Sequence, residues 1–368
     1  VFRSDRGFGP GESFFLPGVQ KSGTLSTTIY LQEIAGAHSD VTMDLLNSDG
    51  VITNGGSPKS LSGFGSVELR DSVPAGIVSV RLTNTSAPGS GGLVNGYAIV
   101  SDSATGDSFV VVQLTPAAGA DPMFSPAFAS TTGSTVLHLT NAQASGAISV
   151  SATAVTGPPV APRHRSVKGL SAGNPVAERA LTIPPIGPLA SYQLTLSDSG
   201  FVKLTGSTAL RVAGRYSIPR SAGTFGTAVP VVPGSRALKL NEQVRFTGVE
   251  DSSTTTVGFA RPLTYSTDLM LVETTGLAKV TVKVTLRYVF SAAKVAGSSA
   301  ASQQFDVPAG SFIVLTSLGK SLLGSQRNSY GDLHNAVLDV EVISGSGAVL
   351  PFLKSTDNGT GDISIRND

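Results

Sequence analysis

Two pairs of aspartates recur in one six-residue pattern, D-x-x-T-G-D. The first copy holds Asp102 and Asp107, and the second holds Asp357 and Asp362. Ca²⁺ takes carboxylate and backbone oxygens, although neither copy has the full spacing of an EF-hand loop. The alternative is a hairpin turn, in which Asp accepts local N–H groups and Gly supplies a positive φ. We predict that both copies are turns without a metal. If either copy binds calcium, these four aspartates are the candidate ligands.

Residues for catalysis are sparse and scattered. A serine-hydrolase triad needs Ser, His and an acid within mutual reach, and the sequence places no G-x-S-x-G elbow between a strand and a helix. His138 falls in an alternating run, where we expect it on the solvent face. The Glu residues show no spacing that pairs two across a glycosidase cleft. The absence of Cys removes thiolate nucleophiles, thiolate metal sites and disulfides together. The sequence therefore predicts no enzyme and no cofactor.

Composition and charge limit the kinds of partner that the chain is expected to bind. The chain has 368 residues, of which 14% are charged, and a net charge of +1. Its most basic stretch, residues 163–168, is too short for the concentrated patch of a nucleic-acid binder. No apolar run approaches the length of a membrane span. The start at Val1 agrees with removal of a leader, as it would with a cloned fragment. We expect a secreted protein, extracellular or held at the cell surface.

The hydrophobic pattern is that of strands. Short runs rich in Val, Ile and Thr are separated by Gly, Pro, Asn, Asp and Ser, which predicts an all-β protein of sandwiches or barrels. Within residues 279–289, Val280, Val282, Val284 and Leu286 alternate with polar residues, as in a strand with one buried face. The best helix candidate is the short segment 317–323.

An internal repeat is the strongest organising signal. Residues 16–22 recur as 246–252, and residues 92–97 with 102–107 recur, at the same spacing, as 347–352 with 357–362. We therefore predict three tandem antiparallel β-sandwich domains, immunoglobulin-like or jelly-roll-like, with the first and third related by internal repeat. We predict an N-terminal arm at 1–10 and three sandwiches at 11–112, 113–233 and 234–368. The second sandwich should carry a Pro/Gly-rich insert at 157–188 with little regular structure. The third should carry a long loop at 292–304.

The repeated motifs resemble those of a family of uncharacterised exported bacterial proteins built from tandem β-sandwich units. The family's units open with L-P-G-V, as at Leu16–Val19, and close with Y-A-x-V-x-D-x-x-T-G-D, as at Tyr97–Asp107. The third unit departs by carrying Phe352 and Leu353 in place of the aromatic-Ala pair. The resemblance implies an exported or surface role and brings no catalytic residues.

Two functions remain open from the sequence. The leading expectation is a non-enzymatic extracellular structural protein that self-associates as a homopolymer, in a fibre, filament or surface layer. Low charge and exposed sheet edges favour pairing with a neighbour. Val1, Phe2 and Phe8 of the arm are candidate assembly residues, against the alternative of a frayed terminus. The runner-up is a monomeric carbohydrate-binding or adhesive module that binds a cell-surface glycan.

Overall fold

The computed structural model describes most of the chain as strand. The described residues are 7–112, 121–128, 133–157, 177–220, 223–252, 255–256, 259–260, 265–292, 295–324, 333–358 and 363–367. They form an all-β protein of several antiparallel sheets. We call the strands up to residue 112 the first unit, those from 121 to 233 the second unit, and those from 234 onward the third unit.

The first unit has two facing sheets, ordered β1-β7-β3-β4, with β5 also on β3, and β6-β2-β8-β9. Its strands are β1 (Ser13–Pro17), β2 (Leu25–Glu33), β3 (Ser39–Asn47), β4 (Ile52–Asn54), β5 (Lys59–Leu61), β6 (Ser66–Leu69), β7 (Ile77–Asn84), β8 (Val94–Asp102) and β9 (Ser108–Val111).

The second unit has sheets ordered β13-β12-β15-β10-β18 and β14-β11-β16-β17. Its strands are β10 (Met123–Ala127), β11 (Ser134–Asn141), β12 (Ser151–Thr156), β13 (Ala177–Leu181), β14 (Ser191–Leu196), β15 (Gly200–Thr205), β16 (Leu210–Arg220), β17 (Gly223–Val229) and β18 (Val232–Pro233).

The third unit has sheets ordered β19-β26-β23-β24 and β25-β22-β27-β28, with β20 and β21 as a separate short ladder. Its elements are β19 (Gln243–Asp251), β20 (Thr255–Thr256), β21 (Phe259–Ala260), β22 (Tyr265–Glu273), β23 (Val280–Ala292), β24 (Val295–Val307), β25 (Phe312–Leu315), α1 (Leu318–Leu323), β26 (Leu333–Ser344), β27 (Val349–Asp357) and β28 (Ile363–Arg366).

Each unit encloses its own hydrophobic core, because alternate side chains of a strand point to one face of its sheet. In β23, Val280, Val282, Val284 and Leu286 are fully buried, as their alternation predicts. Similar alternation in β2 and β8 fills the core of the first unit. The predicted helix is also confirmed, since α1 closes the third core with Leu318, Leu322 and Leu323.

Three local expectations are wrong. Residues 292–304 fall mostly within strand β24, which pairs with β23 along its whole length, because the polar, Ser-rich sequence occupies a sheet edge. The insert 157–188 contributes edge strand β13 and the buried Ile186, while residues 158–176 lie outside the described part. On the polar side of β23, Thr281 and Thr285 are buried as well, each hydrogen-bonded across the β23–β24 ladder.

The first and third units share one strand order. The two sheets of the first unit, β1-β7-β3-β4 and β6-β2-β8-β9, correspond strand for strand to the two sheets of the third unit, β19-β26-β23-β24 and β25-β22-β27-β28. In this correspondence Glu33 pairs with Val94 as Glu273 pairs with Val349, and Val94 and Val349 occupy matching positions of the repeated segments 92–97 and 347–352. A common topology is what a repeated unit predicts, and descent of the two units from one sequence stays a prediction.

A buried glutamate closes the same end of both units. Glu33 is 0% exposed, and its carboxylate accepts N–H groups from Ala35, Gly36, Phe64 and Leu93 at 2.7–3.1 Å. Glu273 is 1% exposed and is held in the same way by N–H groups of Thr275, Gly276, Gly310 and Ala348. Each carboxylate thus ties three loops together by charge-assisted hydrogen bonds.

Burial alone would raise the pKa of Glu33, but the four N–H donors outweigh it and lower the pKa to about 2. The pKa of Glu273 is lowered by the same balance. A carboxyl group whose pKa is lower in the folded state stabilises the fold above its unfolded pKa. That stability is lost as the pH falls towards the folded pKa.

We therefore expect the free energy of unfolding to drop between roughly pH 4.5 and pH 2 as Glu33 protonates. Glu33→Gln should cost about 1–3 kcal/mol at neutral pH, because the amide N–H₂ group cannot accept the backbone donors. Urea unfolding measured across this pH range checks both points. A variant as stable as wild type at pH 7, with an unchanged acid profile, would contradict this role for Glu33.

Candidate functional site: joints and free faces of the units

The histidines do not form a catalytic group in the described structure. His38 and His334 are exposed in different units, and His164 lies outside the described residues. His138 is 7% exposed, so the expectation of a solvent-facing position is wrong. Its side chain lies against Gly18 of the first unit, a contact between units that alternation within one strand does not predict.

One Ser-Asp-His cluster lies at the β3–β5 edge. Nε2 of His38 is 3.3 Å from Oδ1 of Asp40, and the hydroxyl of Ser60 donates to the same oxygen at 2.5 Å. The acid therefore lies between the other two groups, whereas a triad needs His between Ser and acid. The hydrogen bond from Ser60 lowers the pKa of Asp40, which leaves that carboxylate a weak base. This arrangement does not activate Ser60.

The first D-x-x-T-G-D copy is a turn whose two aspartates accept backbone N–H groups. Asp102 accepts the N–H of Ala104 at 2.9 Å, and its own backbone pairs with Asp107 and Gly106. Asp107 accepts the N–H of Ser108 through Oδ1 and that of Gly226, in the second unit, through Oδ2. Of the second copy, Asp357 ends β27 and Asp362 lies outside the described residues. The described part of the chain brings no three His, Asp or Glu residues together as metal ligands.

Phe8 packs inside the first unit of the same chain, which corrects its assignment to an assembly arm. It is 4% exposed, its backbone pairs with Val94, and its ring stacks on Phe14 at 5.5 Å between centroids. Burying the ring in this core stabilises the unit itself and leaves no ring to insert into a neighbour. Val1 and Phe2 lie outside the described residues.

The joint between the first and second units is closely packed. Phe15 and Leu46 of the first unit form a small buried cluster with Leu189 of the second. Gly50 has φ +80°, and a Cβ there would lie 2.2 Å from the carbonyl oxygen of Pro188. Nearby, the N–H of Ser191 donates to the carbonyl of Ser48 across the joint at 2.9 Å.

Arg215 of the second unit is the charged centre of this joint. It is 7% exposed, its guanidinium lies 4.2 Å from the ring centroid of Phe109, and Nη1 donates to Gln20 at 3.3 Å. Burial lowers the pKa of Arg215, and the carboxylates of Asp107 and Asp102 act in the opposite direction. The D-x-x-T-G-D turn of the first unit thus supplies negative charge to a buried cation of the second.

His138 completes the joint as a neutral ring. Burial, with a smaller contribution from the Arg215 cation, lowers the pKa of His138 to about 4. A Cβ on Gly18 would lie 2.8 Å from Cδ2 of this ring. The glycine therefore lets the loop after β1 close onto the imidazole face.

The joint between the second and third units is an aromatic core of its own. Its cluster combines side chains from both units, with Phe201 and Phe312 in edge-to-face contact at 5.9 Å. The second unit contributes Phe124, Phe128, Val155, Phe201, Tyr216, Ile218, Val229 and Val232, and the third contributes Ala237, Met270, Val272, Phe312, Ala348, Leu350, Phe352 and Ile365. Strands β22 and β27 are consequently buried on both faces of their sheet.

The corresponding face of the first unit is left open. Tyr30 and Tyr97 stand at the positions of Met270 and Phe352, and their rings stack at 4.9 Å between centroids. Both side chains are partly exposed. The hydroxyl of Tyr30 donates to exposed Glu68 at 2.9 Å, which raises the pKa of Tyr30. One face is thus apolar and buried, and its counterpart is aromatic, polar and partly exposed among the described residues.

Sequence reasoning missed both joints. The signal available was weak: β10, β22 and β27 carry apolar residues on both sides of the strand, which is typical of a sheet covered on both faces. Gly18 and Gly50 also mark close approach, but many glycines of this chain serve in turns, so the sequence does not single these two out.

No protein-family model matches the chain, and no curated protein matches it either. Within the described residues, no helix is both long and apolar enough to cross a membrane. Any function has to be inferred from the chain's own surfaces.

We expect Gly18→Ala to open the joint between the first and second units. The methyl group meets the His138 ring, and alanine disfavours φ +84° by about 1–2 kcal/mol. Gly23→Ala is the matched control, because Gly23 also has positive φ but nothing lies within 4 Å of its Cβ position. Thermal unfolding and limited proteolysis should show a larger loss of stability for Gly18→Ala. Equal losses in both variants would mean that the His138 contact adds nothing.

Proposed function

We propose that this chain is a non-enzymatic structural protein of the cell exterior that self-associates into a fibre, filament or surface layer. The observation that carries the proposal is the aromatic cluster shared by the second and third units. Units joined by a large apolar interface move as one body, whereas units on a flexible tether do not. A stiff array of sandwiches suits a protein that bears load or sets a spacing.

The joint between the first and second units supports the same proposal. The cation of Arg215 is buried between units and is faced by the turn of Asp102 and Asp107. Separating the units would break the contacts of its guanidinium with the ring of Phe109 and with Gln20 of the first unit. Both joints therefore resist bending of the chain between units.

The surface left by this packing consists of sheet faces and sheet edges. With 14% charged residues, copies of the chain repel one another weakly. Open edges carry unpaired backbone N–H and C=O groups that a neighbouring strand can satisfy. Self-association through edges is thus the interaction that this surface favours.

A second candidate function, glycan binding, is favoured by the open tyrosine face of the first unit. Tyr30 and Tyr97 present aromatic surface beside Glu68 and Arg70, which supply an acceptor and donors for hydroxyl groups. Sugar-binding sites in general combine aromatic stacking with a few such polar groups. This candidate needs no self-association.

Sedimentation and electron microscopy of the purified chain separate the two. The structural proposal predicts open-ended assemblies that grow with concentration, and a monomer at every concentration contradicts it. The glycan candidate predicts binding on a glycan array that Tyr97→Ala abolishes and Tyr192→Ala, in β14 of the second unit, leaves intact. An empty array removes that candidate.

A further inference from the structure

The third unit has one long, unprotected sheet edge, strand β24. It runs for 13 residues and, among the described strands, pairs with β23 alone. At about 3.4 Å per residue such an edge is roughly 44 Å long. Its counterpart in the first unit, β4, has only 3 residues. The edge that is short in one unit is therefore extended in the other.

Strand β24 has no proline, no bulge and one charged residue over its thirteen positions, whereas charge, proline, bulges and short length are the features that normally block edge pairing. Its ladder with β23 is continuous over all 13 residue pairs, and Asp306 is its only charged residue. The opposite edge of the same sheet, β19, has two register shifts and several charged residues. Of the two edges of this sheet, β24 is therefore the one that suits pairing with a further strand.

Among the described strands, none pairs with β23 on its other side beyond Arg287. Pairing of β23 with β26 stops at Arg287 and Val337, whereas pairing of β23 with β24 continues to Ala292 and Val295. A two-stranded ribbon by itself is at best marginally stable in water. A strand added to β24 would continue the sheet along this ribbon.

The sheet behind β24 is a stiff template. Asp339, in β26, is 5% exposed and accepts Arg245 of β19 and Arg287 of β23 at 2.6–3.2 Å. These pairs tie three strands together on the outer face. On the inner face, Gln303 of β24 donates to the carbonyl of Leu322 in α1 at 2.7 Å, which holds the edge strand in place.

We propose that β24 pairs, antiparallel, with β24 of a second copy of this chain, which makes one continuous sheet of two four-stranded sheets. This inference rests on the proposed self-association and names its contact. In an antiparallel pair the two Asp306 carboxylates lie at opposite ends, whereas a parallel pair would place them side by side. The exposed residues Ala300, Ser302 and Gln304 carry no charge that would oppose the contact.

The double variant Ala300→Glu, Gln304→Glu tests this edge. Within the chain the new carboxylates face Arg287 and Lys283 of β23, so they support the hairpin. Between copies they bring like charges together across the contact. The matched control is Ala177→Glu, Ala180→Glu on β13, an exposed edge of the second unit with the same change in charge.

Analytical ultracentrifugation of the wild type and both variants gives the result, with circular dichroism melts to establish folding. We expect the β24 variant to lose association at least tenfold and the β13 variant to associate as wild type does. Assembly retained by the β24 variant overturns this pairing and leaves the proposed function standing. A wild type that never associates overturns both.

Cysteine cross-linking provides a second measurement that does not depend on loss of assembly. The chain has no Cys, so single-Cys variants at Ala300, Ser302 and Gln304 report only on their own position. The position nearest the two-fold axis should give a disulfide-linked dimer on mild oxidation. Ala180→Cys is the control. Equal cross-linking at all four positions overturns the β24 contact.

Discussion

Burial of apolar side chains between sheets is the interaction on which this structure depends. The chain has no Cys, so no disulfide contributes to its stability. Strands β22 and β27 show how far this principle extends, since Leu269 and Leu353 fill the third core while Met270 and Phe352 fill the joint with the second unit. The same burial that folds a unit also joins two units, because a sheet has two faces and either can be covered.

Charged residues serve the ends and joints of the units. Glu33 and Glu273 gather loops by accepting backbone N–H groups, and Arg215 is buried where two units meet. The two carboxylates are satisfied by backbone donors that the fold fixes in place, which makes their burial tolerable. Each of these three buried ions therefore holds together segments that are distant in the chain.

The first and third units use one topology for different contacts. The face that the third unit buries against the second is, in the first unit, an open tyrosine pair at Tyr30 and Tyr97. The edge strand β4 of the first unit has three residues, whereas the corresponding strand β24 of the third unit has thirteen. Under the proposed self-association, this asymmetry gives the third unit a long pairing edge that the first unit lacks.

The sequence by itself determined the all-β class, the alternation that fills each core and the turn at Asp102–Asp107, because these depend on side-chain period and local backbone preference. The helix at Leu318–Leu323 followed from its spacing for the same reason. Only the tertiary structure decided the strand order, the joints and the edges. His138 and Phe8 are buried by residues distant in sequence, Gly18 and Val94, and the polar run of β24 becomes a strand through pairing with β23. Local pattern carries no information on which sheet face another unit will cover, since that depends on contacts between segments far apart in the chain.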